Sequence, residues 1–365
     1  MPKTGCILTL TFLALVSVVF AQEERNDTWG TGRAPCMAGK AVKPAPAYLG
    51  RIEAATAEIP GRDPGPSALV FPNSVVAAGG AGLRNRTKAH IQITGLQGFS
   101  AQAALLYWAI ITTGPAPSKF YTVKLTNEQT SLTASLTGTV VGTGPPPCWP
   151  GDTITVFRAL VPTGASGPLG NLTAGNYTVV VPPGDTLSHP LFGDPWVGTS
   201  SPPEWEGVSL ILVGSTTGLL AGTTAIYDTG IAGFTFGGGP AAFGDTLSFT
   251  LVMPPGSQTL GPTAFYNIGA DGQVGTSIDA NLPVAFEQTF INTTQVAGFT
   301  RTPGTAPSTL DTDSDWNGTV AGPLPQLWDT VGHSISPGVT STLDVTFTNA
   351  KEDCLTQVAT VVFIQ

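Results

Sequence analysis

Charge is scarce in this sequence. Lys, Arg, Asp and Glu together make 11% of the chain, against about a quarter in ordinary soluble domains. The basic residues are scattered and outnumbered by acids, giving a net charge of -9. No basic stripe is present to follow a phosphate backbone, so nucleic acid is not an expected partner. The histidines His90, His189 and His333 stand alone, with no Cys or Glu at metal-ligand spacing. No G-x-S-x-G elbow, P-loop or Rossmann fingerprint occurs, and no organic cofactor is implied. Beyond the first residues no run reaches the roughly 18 consecutive apolar residues of a membrane-spanning helix.

Gly (45) and Pro (32) fill the space that charge leaves. Both are poor inside helices, and the Thr, Val and Ile around them suit pleated strands, so an all-β chain with many turns is expected. An apolar content of 41% supplies enough side chain for packed cores. The organising stretch is Glu204 to Asp228. Within it Val208-Ser209-Leu210-Ile211-Leu212-Val213 is short, apolar and closed by Gly214, the pattern of a strand buried on both faces. Thr223 to Tyr227 follows after Gly218 and Gly222 and is expected to pair with it antiparallel at the centre of a sheet.

The N-terminus carries export signals. Lys3 precedes the apolar run Ile7 to Phe20, and Val19-Phe20-Ala21 places small residues where a signal peptidase reads, with cleavage expected before Gln22. The expected mature protein is secreted, extracellular or at a cell surface, with no membrane span and no anchor tail. N-x-T triplets at Asn26, Asn85, Asn171, Asn176, Asn292 and Asn317 account for six of eleven asparagines, so N-glycosylation is expected, with each modified site facing solvent. Cys36, Cys148 and Cys354 remain after signal removal. An odd count in an exported chain leaves one thiol free or bonded to another chain. Cys36 with Cys148 is the favoured pair, because both lie in Pro-rich irregular segments.

Residues 22–66 are rich in Pro, Gly and Ala and read as an extended arm, with one helical turn over Arg51 to Ala55. Such an arm suits docking along a sheet edge, its own or a neighbour's. From Ser67, strand signals recur between turns: Ala68–Phe71, Ala89–Ile93, Ala103–Thr112, Phe120–Leu125, Thr137–Val141, Thr153–Arg158 and Tyr177–Val181. With the central pair they predict a β-sandwich over residues 67–236. Gly237-Gly238-Gly239-Pro240 marks a boundary. Thr246–Val252, Thr263–Tyr266, Val284–Phe286, Ser341–Phe347 and Cys354–Ile364 predict a second sandwich over 237–365.

Leu105-Leu106-Tyr107-Trp108, Gly151 to Val156, Gly175 to Val179, Glu206 to Val213 and Ile226-Tyr227-Asp228 follow one another in an order that resembles a family of secreted, adhesin-like surface domains of bacteria and archaea. Ile268 to Gln273, Leu327-Trp328-Asp329-Thr330 and Asp353-Cys354-Leu355 are similar to that family's later segments. The resemblance implies two consecutive jelly-roll-like sandwiches at a cell surface or in an extracellular matrix.

Four local patterns touch on chemistry. Asp228-Thr229-Gly230 matches the aspartic-protease tripeptide, but its mechanism needs a second such loop, and Asp329-Thr330-Val331 lacks the glycine. Asp311, Asp313 and Asp315 alternate in a turn-rich loop, a spacing that lets oxygens converge on Ca²⁺. Glu204 and Glu206 flank Trp205 on one strand, whereas glycoside hydrolysis needs opposed carboxylates from different elements. Trp149, Trp196 and Trp205, in Pro- and Gly-rich surroundings, are the residues that could stack on sugars. The expectation is a non-enzymatic extracellular structural glycoprotein, a surface-coat, adhesin-like or filament subunit that forms a homo-oligomer or filament through its arm and sheet edges. The alternatives are a secreted carbohydrate-binding module using the loop tryptophans, with extracellular glycans as partners, and, behind it, a hydrolase whose site is built from residues distant in sequence.

Overall fold

The computed structural model describes residues 68–94, 98–144, 146, 151–184, 202–217, 221–228, 245–254, 262–270, 288–298, 328–335, 341–349 and 356–364. Among them the chain is all β, with one 3-10 turn at Ser118–Tyr121 and no α-helix. The signal peptide (1–21) and arm (22–66) lie outside the described residues, as do the strand expected at Val284–Phe286 and the boundary at Gly237–Pro240.

The first half supplies β1 (Leu69–Gly82), β2 (Lys88–Ile93), β3 (Ser100–Thr112), β4 (Thr122–Asn127), β5 (Leu132–Thr137), β6 (Thr139–Gly144), β7 (Thr153–Leu160), β8 (Gly175–Val180), β9 (Glu204–Ser215) and β10 (Gly222–Tyr227). The second supplies β11 (Asp245–Val252), β12 (Pro262–Ala270), β13 (Gln288–Ile291), β14 (Thr294–Gly298), β15 (Trp328–Ser334), β16 (Thr342–Asn349) and β17 (Thr356–Ile364). The strand expected over Thr137–Val141 is two strands. Gly138 turns the chain there from one sheet to another, its N–H donating to the Tyr121 carbonyl at 2.8 Å. A Cβ at Gly138 would sit 2.5 Å from the Trp108 ring, so no larger residue fits the turn.

All pairings are antiparallel. Two four-stranded sheets, β2-β8-β4-β5 and β11-β16-β13-β14, flank a nine-stranded sheet ordered β15-β12-β17-β10-β1-β9-β3-β7-β6. That long sheet folds at β1. Leu69 to Ser74 pairs with β10, and Val75 to Gly82 pairs with β9, with a register shift between Pro72 and Ser74. Asn73 at the shift has φ 52°, a left-handed backbone that Asn tolerates better than most residues. The Ser74 hydroxyl donates to the Phe71 carbonyl at 2.7 Å and lies 2.9 Å from the Thr224 hydroxyl, fixing the kink. The central prediction is therefore half met. β9 is buried along its length as read from Val208–Val213, but β9 and β10 do not pair, because β1 lies between them.

Alternation decides which sheet faces which core. Ala89, Ile91 and Ile93 of β2, Val123 and Leu125 of β4 and Ala134 and Leu136 of β5 point inward to meet Trp108, Phe157, Trp205, Leu210 and Leu212 in the first core. Leu343, Val345 and Phe347 of β16 meet Ala225, Tyr227, Val362 and Ile364 in the second core. The Tyr227 hydroxyl reaches across that core to the Val252 carbonyl at 2.8 Å. These are two sandwiches in contact. β10 pairs with β17 from Thr223↔Ile364 to Tyr227↔Thr360, so strands on either side of residue 237 share one sheet. β15 packs over the outer face of β1 and β9, where glycine makes room. A Cβ at Gly80 would lie 2.1 Å from Thr330 Oγ1, and one at Gly207 would lie 2.2 Å from the Trp328 ring.

Candidate functional site

The scarce charges gather where the sheets meet. Arg84 follows β1, and the Leu83 N–H extends the ladder by donating to the Glu206 carbonyl at 3.0 Å. Between β3 and β9 the register passes from Ala109↔Gly207 to Ile110↔Trp205, which leaves Glu206 as the extra residue of a β-bulge. Glu204 and Glu206 thereby both reach one guanidinium. Arg84 Nε lies 3.1 Å from Glu204 Oε1, and Arg84 Nη2 donates to Glu206 Oε1 and Oε2 at 2.9 and 2.8 Å. All three side chains are more than nine-tenths buried. Burial holds the Glu206 carboxyl above its ordinary range, and the Arg84 charge pulls the other way.

A second cluster ties the sandwiches together on the same face. Tyr107 of β3 lies opposite Arg158 of β7 and Ser209 of β9. Asp228, just past β10, accepts from the Tyr107 hydroxyl at 2.7 Å and pairs with Arg158. Burial, reinforced by Asp228, pushes the Tyr107 hydroxyl well above the usual tyrosine range. The Trp328 indole N–H donates to Ser209 Oγ at 2.8 Å, and the Ser209 and Thr330 hydroxyls are 2.6 Å apart. A third, exposed group lies on the far face of β2-β8-β4-β5. His90 Nδ1 is 3.0 Å from Glu128 Oε1, and the Thr178 hydroxyl donates to the same oxygen. The Thr178 hydroxyl, then His90 and Lys88, hold the Glu128 carboxyl below its usual range.

Several sequence expectations meet this geometry. Trp205 does not offer a face to a sugar. It is 1% exposed, set edge-on to Phe120, with its indole N–H donating to the Pro182 carbonyl at 2.8 Å. The Pro-rich lead-in suggested a loop, but the residue is inside β9 and points to the first core. Asn85 is also corrected: it is 5% exposed, with φ 58°, and leaves no room for a glycan. Asn171 and Asn176 are exposed, and Asn292 is half-buried in the β13–β14 turn, its Oδ1 accepting from the Asp344 N–H at 2.9 Å. Asp228 of the Asp-Thr-Gly tripeptide holds Tyr107, and Asp329 is buried within β15. Trp149, Trp196, Asn26, Asn317, Cys36, Cys148, Cys354, His189 and the Asp311, Asp313 and Asp315 loop lie outside the described residues. Among the described residues no three His, Cys, Asp or Glu side chains gather as a metal site. Sequence reasoning passed over Arg84, Tyr107 and Arg158. The available signal was a polar or charged residue in or next to an apolar or glycine-rich strand, which has to find a partner once buried.

No protein-family model matches the chain, and no curated protein matches it. Among solved structures it is similar to a peptide-N(4)-(N-acetyl-β-D-glucosaminyl) asparagine amidase, with 10% identity, a TM-score of 0.27 and coverage of 80% of this chain and 96% of that one. A recombinant peptide:N-glycanase F matches at 10% identity and a TM-score of 0.26, with the same coverage. At these TM-scores the likeness carries no argument about chemistry.

Proposed function

We propose that the chain is a non-enzymatic, glycan-bearing structural subunit of an extracellular coat or filament. One observation carries the reading: the charged side chains at the sheet junction are bound to each other. Arg84 holds Glu204 and Glu206, and Asp228 holds Tyr107 and Arg158, across elements distant in sequence. The Arg84 cluster stiffens the first sandwich, and the contacts of Ser209 with Trp328 and Thr330 resist motion of the second half against it, which suits a rigid building unit. The apolar run before Gln22, the exposed asparagines Asn171 and Asn176 of two N-x-T triplets, and the resemblance to secreted adhesin-like domains support an extracellular setting. Electron microscopy of the native secreted material tests the proposal. Ordered polymers or sheets are expected; a field of dispersed single molecules would overturn it.

A further inference from the structure

Among the described residues six strand edges close the three sheets, and five are protected. β2 carries Lys88 and His90, and β11 opens with Asp245. β6 and β14 are each bulged, at the register shifts Val140/Gly142 and Thr289/Phe290. β15 carries Asp329 and His333, both buried. These are the usual devices against edge-to-edge pairing. β5 has none of them. Leu132-Thr133-Ala134-Ser135-Leu136-Thr137 contains no charge and no proline, and it pairs with β4 from Thr122↔Thr137 to Asn127↔Leu132 without a shift.

The outward main-chain groups of β5 follow from the ladder. Because the Gly138 N–H donates to Tyr121, hydrogen-bonded pairs alternate back along the hairpin at Leu136, Ala134 and Leu132. Thr133, Ser135 and Thr137 therefore turn their N–H and C=O groups away from β4. Their side chains form one exposed hydroxyl row, already cross-paired to β4 at Thr126···Thr133 (2.8 Å) and Thr122···Thr137 (3.1 Å). Exposed aliphatics lie on this edge and beyond it: Leu132 begins β5, Val140 follows on β6, and Leu160, 70% exposed, ends β7, the neighbour of β6.

We infer that β5 is a self-pairing edge, which joins two copies of this chain by antiparallel β5–β5 addition about a two-fold axis at Ser135. The inference rests on the reading of the chain as an assembling subunit and names the contact. The occupant is a second copy because the row Thr133, Ser135, Thr137 is symmetric about its centre. Thr133 lies opposite Thr137 of the partner subunit, and Ser135 lies opposite Ser135 of the partner subunit. Each such pair can exchange two main-chain bonds. Two copies of a chain with net charge -9 repel at long range, and this edge is neutral, so it lets them meet without apposing like charges. Two four-stranded sheets then continue as one.

Cysteine placement in the full chain tests both contact and register. In the proposed pairing the Cα atoms at position 135 are about 5.5 Å apart, inside the disulfide range of roughly 4.4–6.8 Å. Ser135→Cys should give a covalent dimer under mild oxidation, well above the background of the native cysteines in the unsubstituted chain. Thr133→Cys should stay at background, because its opposite is Thr137 of the partner subunit. Ser135→Lys should abolish the dimer in sedimentation while leaving the far-UV circular dichroism unchanged. Equal cross-linking at 133 and 135, or an unaltered dimer in Ser135→Lys, would overturn the proposal. Polymers in the microscope without a Ser135→Cys dimer reject the edge and leave the subunit reading standing; a chain monomeric in both assays rejects both.

Discussion

Removing Arg84 isolates the energetics of the buried cluster. Arg84→Met keeps most of the side-chain volume and deletes the cation that faces both Glu204 and Glu206. Removing one partner of a buried ion pair typically costs about 3–5 kcal/mol, because the remaining charge has neither water nor a counter-ion. At neutral pH that corresponds to a loss of more than a hundredfold in the folded-to-unfolded ratio, or roughly 1–2 M in the urea midpoint for a slope of about 2–3 kcal/mol/M. The pH dependence gives a second check. Burial raises the folded-state pKa of Glu206, so the folded state retains a proton that the unfolded state releases from about pH 4.3 upward. Stability from this group is therefore present at acid pH and is lost as pH rises through the folded value. Arg84 opposes that shift, so its removal steepens the loss, and the deficit of Arg84→Met should shrink as pH falls toward 4. Replacing all three residues by neutral side chains of similar size should recover most of the stability. Urea unfolding of the three proteins between pH 4 and 8 measures this. An Arg84→Met variant within about 1 kcal/mol of the original at pH 7, or a deficit independent of pH, would refute the reasoning.

Other substitutions probe the junction separately. Tyr107→Phe removes the hydroxyl from Asp228 but leaves Arg158 in place, so a loss of about 1–2 kcal/mol is expected in chemical unfolding. Since burial and Asp228 raise the folded Tyr107 pKa, the original chain should lose stability above about pH 10 more steeply than Tyr107→Phe does. Gly207→Ala places a methyl 2.2 Å from the Trp328 ring and should cost about 1–3 kcal/mol by thermal melting, partly restored when Trp328 is shortened to Leu. Peptide mass mapping of secreted material should find glycan at Asn171 and Asn176 and none at Asn85, which is buried.

Local pattern made the strands readable, and distance in sequence hid their partners. The alternation in β2, β4 and β16 matches the inward and outward faces, and the apolar run in β9 matches burial on both sides. β1 was read only as Ala68–Phe71 because Gly79, Gly80 and Gly82 carry no side chain from which a period can be read. Those residues place β1 between β9 and β10, and so decide the topology. Trp205 was misread because Pro202-Pro203 resembles a loop, yet the strand begins at the next residue. Arg84 and Glu206 are 122 positions apart, and no local rule connects them.

The junction explains why a chain so poor in charge places it here. In a lone first sandwich, the face bearing Tyr107, Ser209, Gly80 and Gly207 would meet water and need no partners. β15 covers that face with Trp328 and Thr330. Each polar group beneath has lost its water and must bond to another, at a cost of about 1–3 kcal/mol wherever it does not. Glycine at 80 and 207 and the paired side chains around them are thus two consequences of one event, the laying of the second half of the chain over the first. A fragment ending near residue 236 would lack β12, β15 and β17, leaving β10 as a bare edge and Ser209 without its Trp328 and Thr330 partners. The cross-ties therefore belong to the assembled pair of sandwiches, and their stability should be lost in a single step when either half unfolds.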